Sequence, residues 1–291
     1  MKEGDKTSDE KERIIRDMLK LDFIGKNVLV VGGGRGIGKA CALNYADCGA
    51  NIFIGNRNEE QGKSTVEEIK KMGARAGFCR ADISRKEDAV ALLDAALEFF
   101  GGTVDVILHN AGVISTYDFL VIEPEEVERL FSINVLGVSH MLQEGMKQMI
   151  KQGHGNIVTI SSIAGRTNRG LLQHYCATKA AVISLTQAAA KKGAPHGVRV
   201  NSVAPGIIRT NMWEEILDGM ATGWQGTEGG RTAISPEERE RNWNNSIKDL
   251  IPMGQAQTED DIAYGVLFIS SDLAKTITGQ VLTIDGGCTM V

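Results

Sequence analysis

Residues 27–42, NVLVVGGGRGIGKACA, pass from a short β-branched run into a cluster of glycines and then into a helix-forming segment. Glycines at such a turn let the backbone bend tightly and let a pyrophosphate approach the amino end of the next helix. Free N–H groups and the helix dipole favour an anion at that point. Glycine clusters also occur in ordinary loops, but this one lies between the first strand and the first helix of an alternating chain, which favours a dinucleotide site.

The alternation of strands and helices continues to the end of the chain. The predicted strands are 27–31, 51–55, 76–80, 104–109, 155–160, 198–204 and 280–284, and the predicted helices are 36–48, 58–72, 85–100, 124–151, 173–193 and 258–272. Strands that alternate with helices predict a parallel sheet covered on both faces. We therefore expect an α/β fold over residues 23–291: a single doubly wound Rossmann-type domain with a seven-stranded parallel sheet and helices on both faces.

The amino-acid composition argues against several classes of function. The 291 residues carry a net charge of -5 with both signs interspersed, which predicts no nucleic-acid partner. The five cysteines never form Cys-x-x-Cys, as expected of reduced thiols without a metal site. The amino terminus is polar and no apolar run is long enough to cross a bilayer, so we expect a cytoplasmic protein with no signal peptide and no membrane contact.

Residues 1–22 precede the repeating pattern and are predicted to form an N-terminal helical extension. Thr7 and Glu10 have the spacing of a capping box, and four apolar residues make one stripe on an otherwise charged helix: Ile14, Ile15, Met18 and Leu19. This apolar stripe is expected to pack against another protein surface. It packs either on its own domain or across a neighbouring subunit.

The end of the second strand bears on the choice of dinucleotide. An acidic side chain there would bind the 2′-hydroxyl of an NAD ribose, but the residues present are Asn56 and Arg57. Arg57 and Arg35 could both face a 2′-phosphate, which favours NADP(H), although asparagine also bonds ribose hydroxyls and both arginines could simply be solvated. After the third strand, Asp82 could accept a hydrogen bond from the adenine amino group or cap the helical segment that begins near Ser84.

Tyr175 and Lys179 are four residues apart in a predicted helix and so lie on one face. A cation beside a phenol lowers its pKa and makes it a candidate proton-transfer group, although two ordinary helix residues share this spacing. Ser162, at the end of the fifth strand, can meet Tyr175 over one ligand. Asn134 lies within a long predicted helix, where an asparagine indicates a local irregularity or a bound water, or is simply buried and satisfied.

These motifs agree in order with one family: from about residue 22 onward the chain resembles the short-chain dehydrogenases/reductases. Each matching element is short, and their order and spacing make the resemblance specific. They are the glycine motif Gly32 to Gly38, the Asn110-Ala111-Gly112 segment, the tetrad Asn134, Ser162, Tyr175 and Lys179, the Pro205-Gly206 and Thr210 element, and Asp285-Gly286-Gly287. Two residues depart from the family pattern, Val31 for a threonine and His109 for the first asparagine of Asn-Asn-Ala-Gly.

The resemblance implies hydride transfer between a nicotinamide cofactor and an alcohol or ketone. Tyr175 would be the general acid or base, Lys179 would lower its pKa and bind the ribose, Ser162 would orient the substrate oxygen, and Asn134 would support a relay water. It also implies a homotetramer built on the helices at 124–151 and 173–193. The implied NAD(P)(H) contacts are Gly32, Arg35, Gly36, Ile37, Gly38, Asn56, Arg57, Asp82, Ile83, Asn110, Ala111, Gly112, Tyr175, Lys179, Pro205, Gly206, Ile208 and Thr210.

All three tryptophans fall in a segment at about 210–250 that follows the sixth strand. Met212, Trp213, Trp224 and Trp243 predict a mobile lid over a small-molecule substrate, although the tryptophans could instead anchor the loop to the core. Rings that face the pocket favour a bulky apolar substrate such as a hydroxysteroid. The extension and lid are similar to those of some bacterial hydroxysteroid dehydrogenases, some of which use NAD(H), so the choice between NAD(H) and NADP(H) stays open. The alternatives are a 3-oxoacyl thioester reductase and a non-catalytic dinucleotide-binding regulator.

Overall fold

The computed structural model describes residues 21–168, 172–221 and 234–290. The extension predicted for residues 1–22 lies outside them except for Leu21 and Asp22, which are not helical. Trp224 of the predicted lid also lies outside the described residues.

Seven parallel strands form one sheet, as predicted. Their limits agree with the sequence prediction to within two residues, and their order across the sheet is β3-β2-β1-β4-β5-β6-β7. The strands are β1 Asn27–Val31, β2 Asn51–Asn56, β3 Ala76–Arg80, β4 Val106–His109, β5 Gly155–Ile160, β6 Val198–Pro205 and β7 Val281–Ile284. The order reverses direction between β1 and β4, which makes that point the topological switch where ligands of open α/β sheets bind.

Helices cover both faces of the sheet. The α-helices within the described residues are α1 Gly36–Asp47, α2 Glu59–Lys71, α3 Lys86–Phe100, α4 Pro124–Phe131, α5 Gly137–Gln152, α6 Gln173–Gly193, α7 Asn211–Ala221, α8 Pro236–Leu250 and α9 Glu259–Ser270. The helix predicted at 124–151 is interrupted by a π-helix at Ser132–Leu136, and the segment predicted as a lid contains α7 and α8. None of these helices is long and apolar enough to cross a membrane.

The core has two layers because successive strand residues point to opposite faces. In β4, Leu108 packs with residues of α1, α2 and α9, whereas Ile107 packs with residues of α3, α5 and α6. Both side chains are fully buried. A sheet held this firmly on both sides fixes the carboxyl ends of β1, β4, β5 and β6, from which the candidate active site is built.

Candidate active site

A cavity of about 630 Å³ opens at the carboxyl edge of the sheet, over the switch point between β1 and β4. It brings together most of the residues predicted from the sequence. Of the predicted catalytic, cofactor-binding and lid residues within the described part of the chain, three do not line it: Gly38, Asn134 and Trp243.

The glycine loop leaves open space where a pyrophosphate would lie. Gly36 has a left-handed φ of 53°, and a Cβ added there would meet only the Thr210 side chain, at 3.8 Å across the cavity. The first turn of α1 carries no acidic residue, and the Arg35 side chain does not cap it. Gly38 instead has a packing role, since its Cβ would lie 2.1 Å from the Gly32 carbonyl oxygen. The cradle therefore fits an anion at the amino end of α1.

The cavity extends to the ends of β2 and β3. Asn56 is held near the glycine loop, donating from Nδ2 to the Asn58 carbonyl at 2.8 Å. Arg35 and Arg57 are exposed on the cavity wall, and the described residues pair neither guanidinium with a carboxylate. Asp82 Oδ1 accepts from both the backbone N–H, at 3.1 Å, and the hydroxyl of Ser84, at 2.7 Å. Asp82 therefore closes a local turn and does not cap α3, which begins at Lys86 after Arg85, and it lines the cavity.

The Asn-Ala-Gly segment is bonded to the glycine loop. Asn110 Nδ2 donates to the Gly32 carbonyl at 2.9 Å, and the N–H groups of Asn110 and Ala111 both donate to the Val31 carbonyl. A Cβ at Gly32 would lie 2.7 Å from the Ala111 nitrogen. The two loops pack this closely because both carry small residues, which keeps the floor of the cavity rigid.

Asn134 lies in the π-helix, so the irregularity predicted from its sequence context is confirmed. Its side chain is 1% exposed and makes paired bonds with the backbone of Val113, accepting at 2.8 Å and donating at 2.8 Å. It also donates to Thr178 Oγ1 at 3.1 Å. The side chain thus joins the loop after β4 to helix α6, at a residue next to Lys179 and about one turn after Tyr175, and the hydrogen-bonding capacity of its amide is largely used.

Tyr175 and Lys179 lie on one face of α6, as predicted, and are 7% and 4% exposed. Lys179 Nζ donates to the Ile160 carbonyl at 2.9 Å and lies 5.6 Å from the centre of the Tyr175 ring. Burial lowers the pKa of Lys179 to about 8. Burial also raises the pKa of Tyr175 to about 12, opposed by the hydrogen bond from Ser162. Desolvation decides the direction of the shift, and the lowering of the tyrosine pKa expected from Lys179 is not found in this structure.

Ser162, Tyr175 and Met212 meet at the inner end of the cavity. The Tyr175 hydroxyl donates to Met212 Sδ at 3.8 Å, and Ser162 Oγ accepts from the Ala164 N–H at 3.1 Å at the start of a short 3₁₀ helix. Around them the wall is apolar, and several of its residues were not identified from the sequence. These are Ile114, Ile163 and Leu172. Their apolar side chains give no chemical signal in the sequence, and only the fold brings them together.

The tryptophans divide between the two roles proposed for them. Trp213 lines the cavity, whereas Trp243 is 6% exposed, packs in an apolar cluster with Leu217 and Ile251, and does not reach the cavity. The prediction that Trp243 faces the substrate is therefore wrong, because α8 directs it inward against α7. The two rings meet edge to face with centres 5.9 Å apart, so Trp243 supports Trp213 from behind.

The family profile described as short chain dehydrogenase matches residues 26–221, which include the glycine loop and the tetrad. The chain belongs to the short-chain dehydrogenase/reductase family. A second profile, described as Enoyl-(Acyl carrier protein) reductase, matches residues 231–289.

Three members of the family show the range of its activities. An L-rhamnose 1-dehydrogenase (NAD(P)(+)) of Sphingomonas sp. is 35% identical over 90% of this chain and 96% of its own. A 3-oxoacyl-[acyl-carrier-protein] reductase of Chlamydia muridarum is 32% identical over 91% of this chain and 98% of its own. A solved 7α-hydroxysteroid dehydrogenase, complexed with NADH and 7-oxo glycochenodeoxycholic acid, is 30% identical with a TM-score of 0.79, covering 92% of this chain and 96% of its own.

Membership of the short-chain dehydrogenases/reductases makes this chain an NAD(P)(H)-dependent oxidoreductase that acts on the CH–OH group of a small molecule. The cradle at Gly36 and the open wall at Arg35 and Arg57 fit such a dinucleotide. Within the part of the chain that is described, no group of three or more His, Cys, Asp or Glu side chains could hold a metal ion.

Proposed function

We propose that the protein interconverts a bulky apolar ketone, such as a steroid or other polycyclic or alicyclic ketone, with the secondary alcohol. The observation that carries the proposal is the wall around Tyr175, where Ile114, Leu172, Met212 and Trp213 pack as one apolar cluster. Apolar walls of this size favour a ligand that buries carbon surface. The solved hydroxysteroid dehydrogenase among the relatives supports the same substrate class.

The tetrad divides the work around the substrate oxygen. When bound, the nicotinamide donates or accepts the hydride. Tyr175 exchanges the hydroxyl proton of the substrate and Ser162 donates a hydrogen bond to the same oxygen. Lys179, held at the Ile160 carbonyl, lies where an ammonium stabilises negative charge on the phenol oxygen, and Asn134 keeps α6 in register with the loop after β4.

The experiment that tests this function measures the oxidation of NADPH and NADH with a steroid ketone, an alicyclic ketone and acetoacetyl thioester. We expect the apolar ketones to be preferred and Tyr175→Phe to lose activity by about a hundredfold or more while still binding the dinucleotide. Equal rates for Tyr175→Phe and the unaltered protein would refute the catalytic assignment.

A 3-oxoacyl thioester reductase is the second candidate, supported by the Chlamydia muridarum relative. Such an enzyme needs cations near the mouth of the pocket for a phosphopantetheine carrier. The arginines that flank α7 are instead paired with carboxylates, Arg209 with Glu240 at 2.7 Å and Arg239 with Glu214 at 3.0 Å. This pairing favours the apolar ketone, and a higher kcat/KM with acetoacetyl thioester would reverse the choice.

For the cofactor we propose a preference for NADP(H), because Arg35 and Arg57 border the cavity while the end of β2 carries no acidic residue. Arg57→Ser should raise the Kd for NADPH by about tenfold and leave that for NADH nearly unchanged. Arg241→Ser, an exposed arginine of α8 outside the cavity, is the matched control. Equal losses for the two cofactors would show that Arg57 does not contact a 2′-phosphate.

For the assembly we propose a cytoplasmic homotetramer whose subunits meet through the helical faces at residues 124–151 and 173–193. The half-exposed Leu136 of the π-helix supports this, since apolar side chains at a subunit interface are covered by the partner. Light scattering at several protein concentrations tests the mass. Deletion of residues 1–20 tests the extension separately, because an unchanged mass and melting temperature would exclude it from the interface.

A further inference from the structure

The guanidinium of Arg239 forms hydrogen bonds to two carboxylates of helix α7. Arg239 of α8 donates from Nη2 to Asp218 Oδ1 at 2.5 Å and from Nη1 to Glu214 Oε2 at 3.0 Å. A third, longer contact of 3.4 Å reaches the Glu214 backbone carbonyl. The Asp218 side chain is 1% exposed and that of Arg239 is 18% exposed, so solvent screens this contact only partly. The planar fork of arginine holds its two donors at the fixed spacing of this double contact, and the single ammonium of a lysine does not reproduce that geometry.

Without the Arg239 guanidinium, two carboxylates on one face of α7 would repel each other. Glu214 and Asp218 are four residues apart, so they lie on one face of the helix, where like charges repel. Arg209, just before α7, also contacts Glu214 at 3.3 Å and Glu240 of α8 at 2.7 Å. The position of α7 relative to α8 therefore depends on cations placed between carboxylates.

The opposite side of α7 forms the substrate wall. Met212 lies in its first turn with its sulfur 3.8 Å from the Tyr175 hydroxyl, and the neighbouring Trp213 lines the cavity. Behind them, Trp243 of α8 contacts the Trp213 ring, and the Arg209 guanidinium lies 5.4 Å from the Trp243 ring centre. A shift of α7 along α8 would move the wall against the reacting atoms, where displacements of about 1 Å change rates strongly.

We propose that Arg239, through its bonds to Asp218 and Glu214, is a positioning residue that sets substrate specificity by fixing Met212 and Trp213 over Tyr175. This inference rests on the proposed ketone reduction at that site. Arg239 acts on Met212 and Trp213 and contacts Tyr175 only through Met212, so its loss should change the recognition of large substrates more than that of small ones. A small ketone reaches Tyr175 whether or not the wall is in place.

The experiment compares kcat and KM for a bulky alicyclic ketone and for butan-2-one in three variants. Arg239→Met removes the fork, Arg239→Lys keeps the charge without it, and Arg241→Met changes an exposed arginine of the same helix. For Arg239→Met we expect the ratio of kcat/KM, bulky over small, to fall by about tenfold or more, mainly through KM. Arg241→Met should change the ratio by less than about twofold.

Dinucleotide binding, followed by NADPH fluorescence, reports separately whether the sheet and glycine loop are intact. The proposal is overturned if Arg239→Met binds NADPH normally and keeps the kcat/KM ratio, bulky over small, of the unaltered protein. If Arg239→Met does not bind NADPH, Arg239→Lys provides the test. A lowered kcat/KM ratio with normal NADPH binding supports the positioning role of Arg239, and a ratio equal to that of the unaltered protein overturns it. Failure of the proposed function is recognised differently, as the absence of Tyr175-dependent ketone reduction in the unaltered protein.

Discussion

His109 is a buried histidine whose protonation should destabilise this fold. It ends β4 between Val31 of β1 and Thr159 of β5, is 2% exposed, and its Nε2 has no hydrogen-bond partner in the described structure. Burial and then the nearby charge of Lys179 lower the pKa of His109 from 6.5 to about 4. We predict that the protein loses stability on mild acidification and that His109→Asn removes much of this loss.

The sign and size of this change in stability follow from the difference between the pKa of His109 in the folded and in the unfolded protein. The pKa of folded His109 is below its unfolded value, so the unfolded chain binds more protons between about pH 4 and pH 6.5 and stability falls as the pH falls through that window. With 1.36 kcal/mol for each pKa unit, the full loss is about 3 kcal/mol, and about 2 kcal/mol of it falls between pH 7 and pH 5. Asparagine, which does not titrate, avoids this loss.

The assay is urea unfolding followed by circular dichroism at pH 7 and pH 5. The difference in unfolding free energy between the two pH values should be about 2 kcal/mol smaller in His109→Asn than in the unaltered protein. His196→Asn, a substitution at an exposed histidine, is the matched control and should leave the difference unchanged. The same pH dependence in His109→Asn and the unaltered protein would refute the linkage.

Three further predictions test the site. Gly36→Ala should raise the Kd of NADP(H) by about tenfold and lower stability by about 1 kcal/mol, because Gly36 has a left-handed φ and faces the cavity. Gly73→Ala, the control, should lower stability by a similar amount without changing the Kd, because Gly73 also has a left-handed φ but does not line the cavity. Asn134→Ala should lower the urea unfolding free energy by about 2 to 4 kcal/mol, because the part-buried N–H and C=O of Val113 both lose their partner. The pKa of folded Lys179, about 8, lies below its ordinary 10.5, so stability should gain about 2 kcal/mol from this group between pH 8 and pH 10, and Lys179→Met should abolish that gain.

The sheet and glycine loop could be predicted because local sequence determines them. β-branched runs between helical segments predict parallel strands wherever they fall, and β1 and β3 begin and end where predicted. The glycine loop and the Tyr175 and Lys179 pair are also local, since one is a turn and the other a helix spacing. Even the interruption at Asn134 had a local cause, the poor fit of an asparagine amid apolar helix residues.

What escaped prediction depends on contacts between distant segments. Helices α7 and α8 lie in the segment predicted as a mobile lid, and α7 is bonded to Arg239, which lies 21 residues beyond Asp218. The inward direction of Trp243 follows from that same packing. The pKa of Tyr175 was predicted with the wrong sign because a sequence shows a neighbouring cation but does not show the desolvation that opposes it.

The two displaced pKa values together indicate which proton state the active site holds. Burial raises the pKa of the Tyr175 phenol to about 12 and lowers that of Lys179 to about 8, so each group is moved towards its neutral form. Near neutral pH the tyrosine therefore keeps its proton, and the state needed to donate it to a carbonyl oxygen is already present. Oxidation of an alcohol needs the phenolate, whose formation is opposed by desolvation and favoured by the hydrogen bond from Ser162. In this structure the support that Lys179 gives to a phenolate therefore depends on the charge of its ammonium, and it weakens as the pH rises through the pKa of Lys179, about 8.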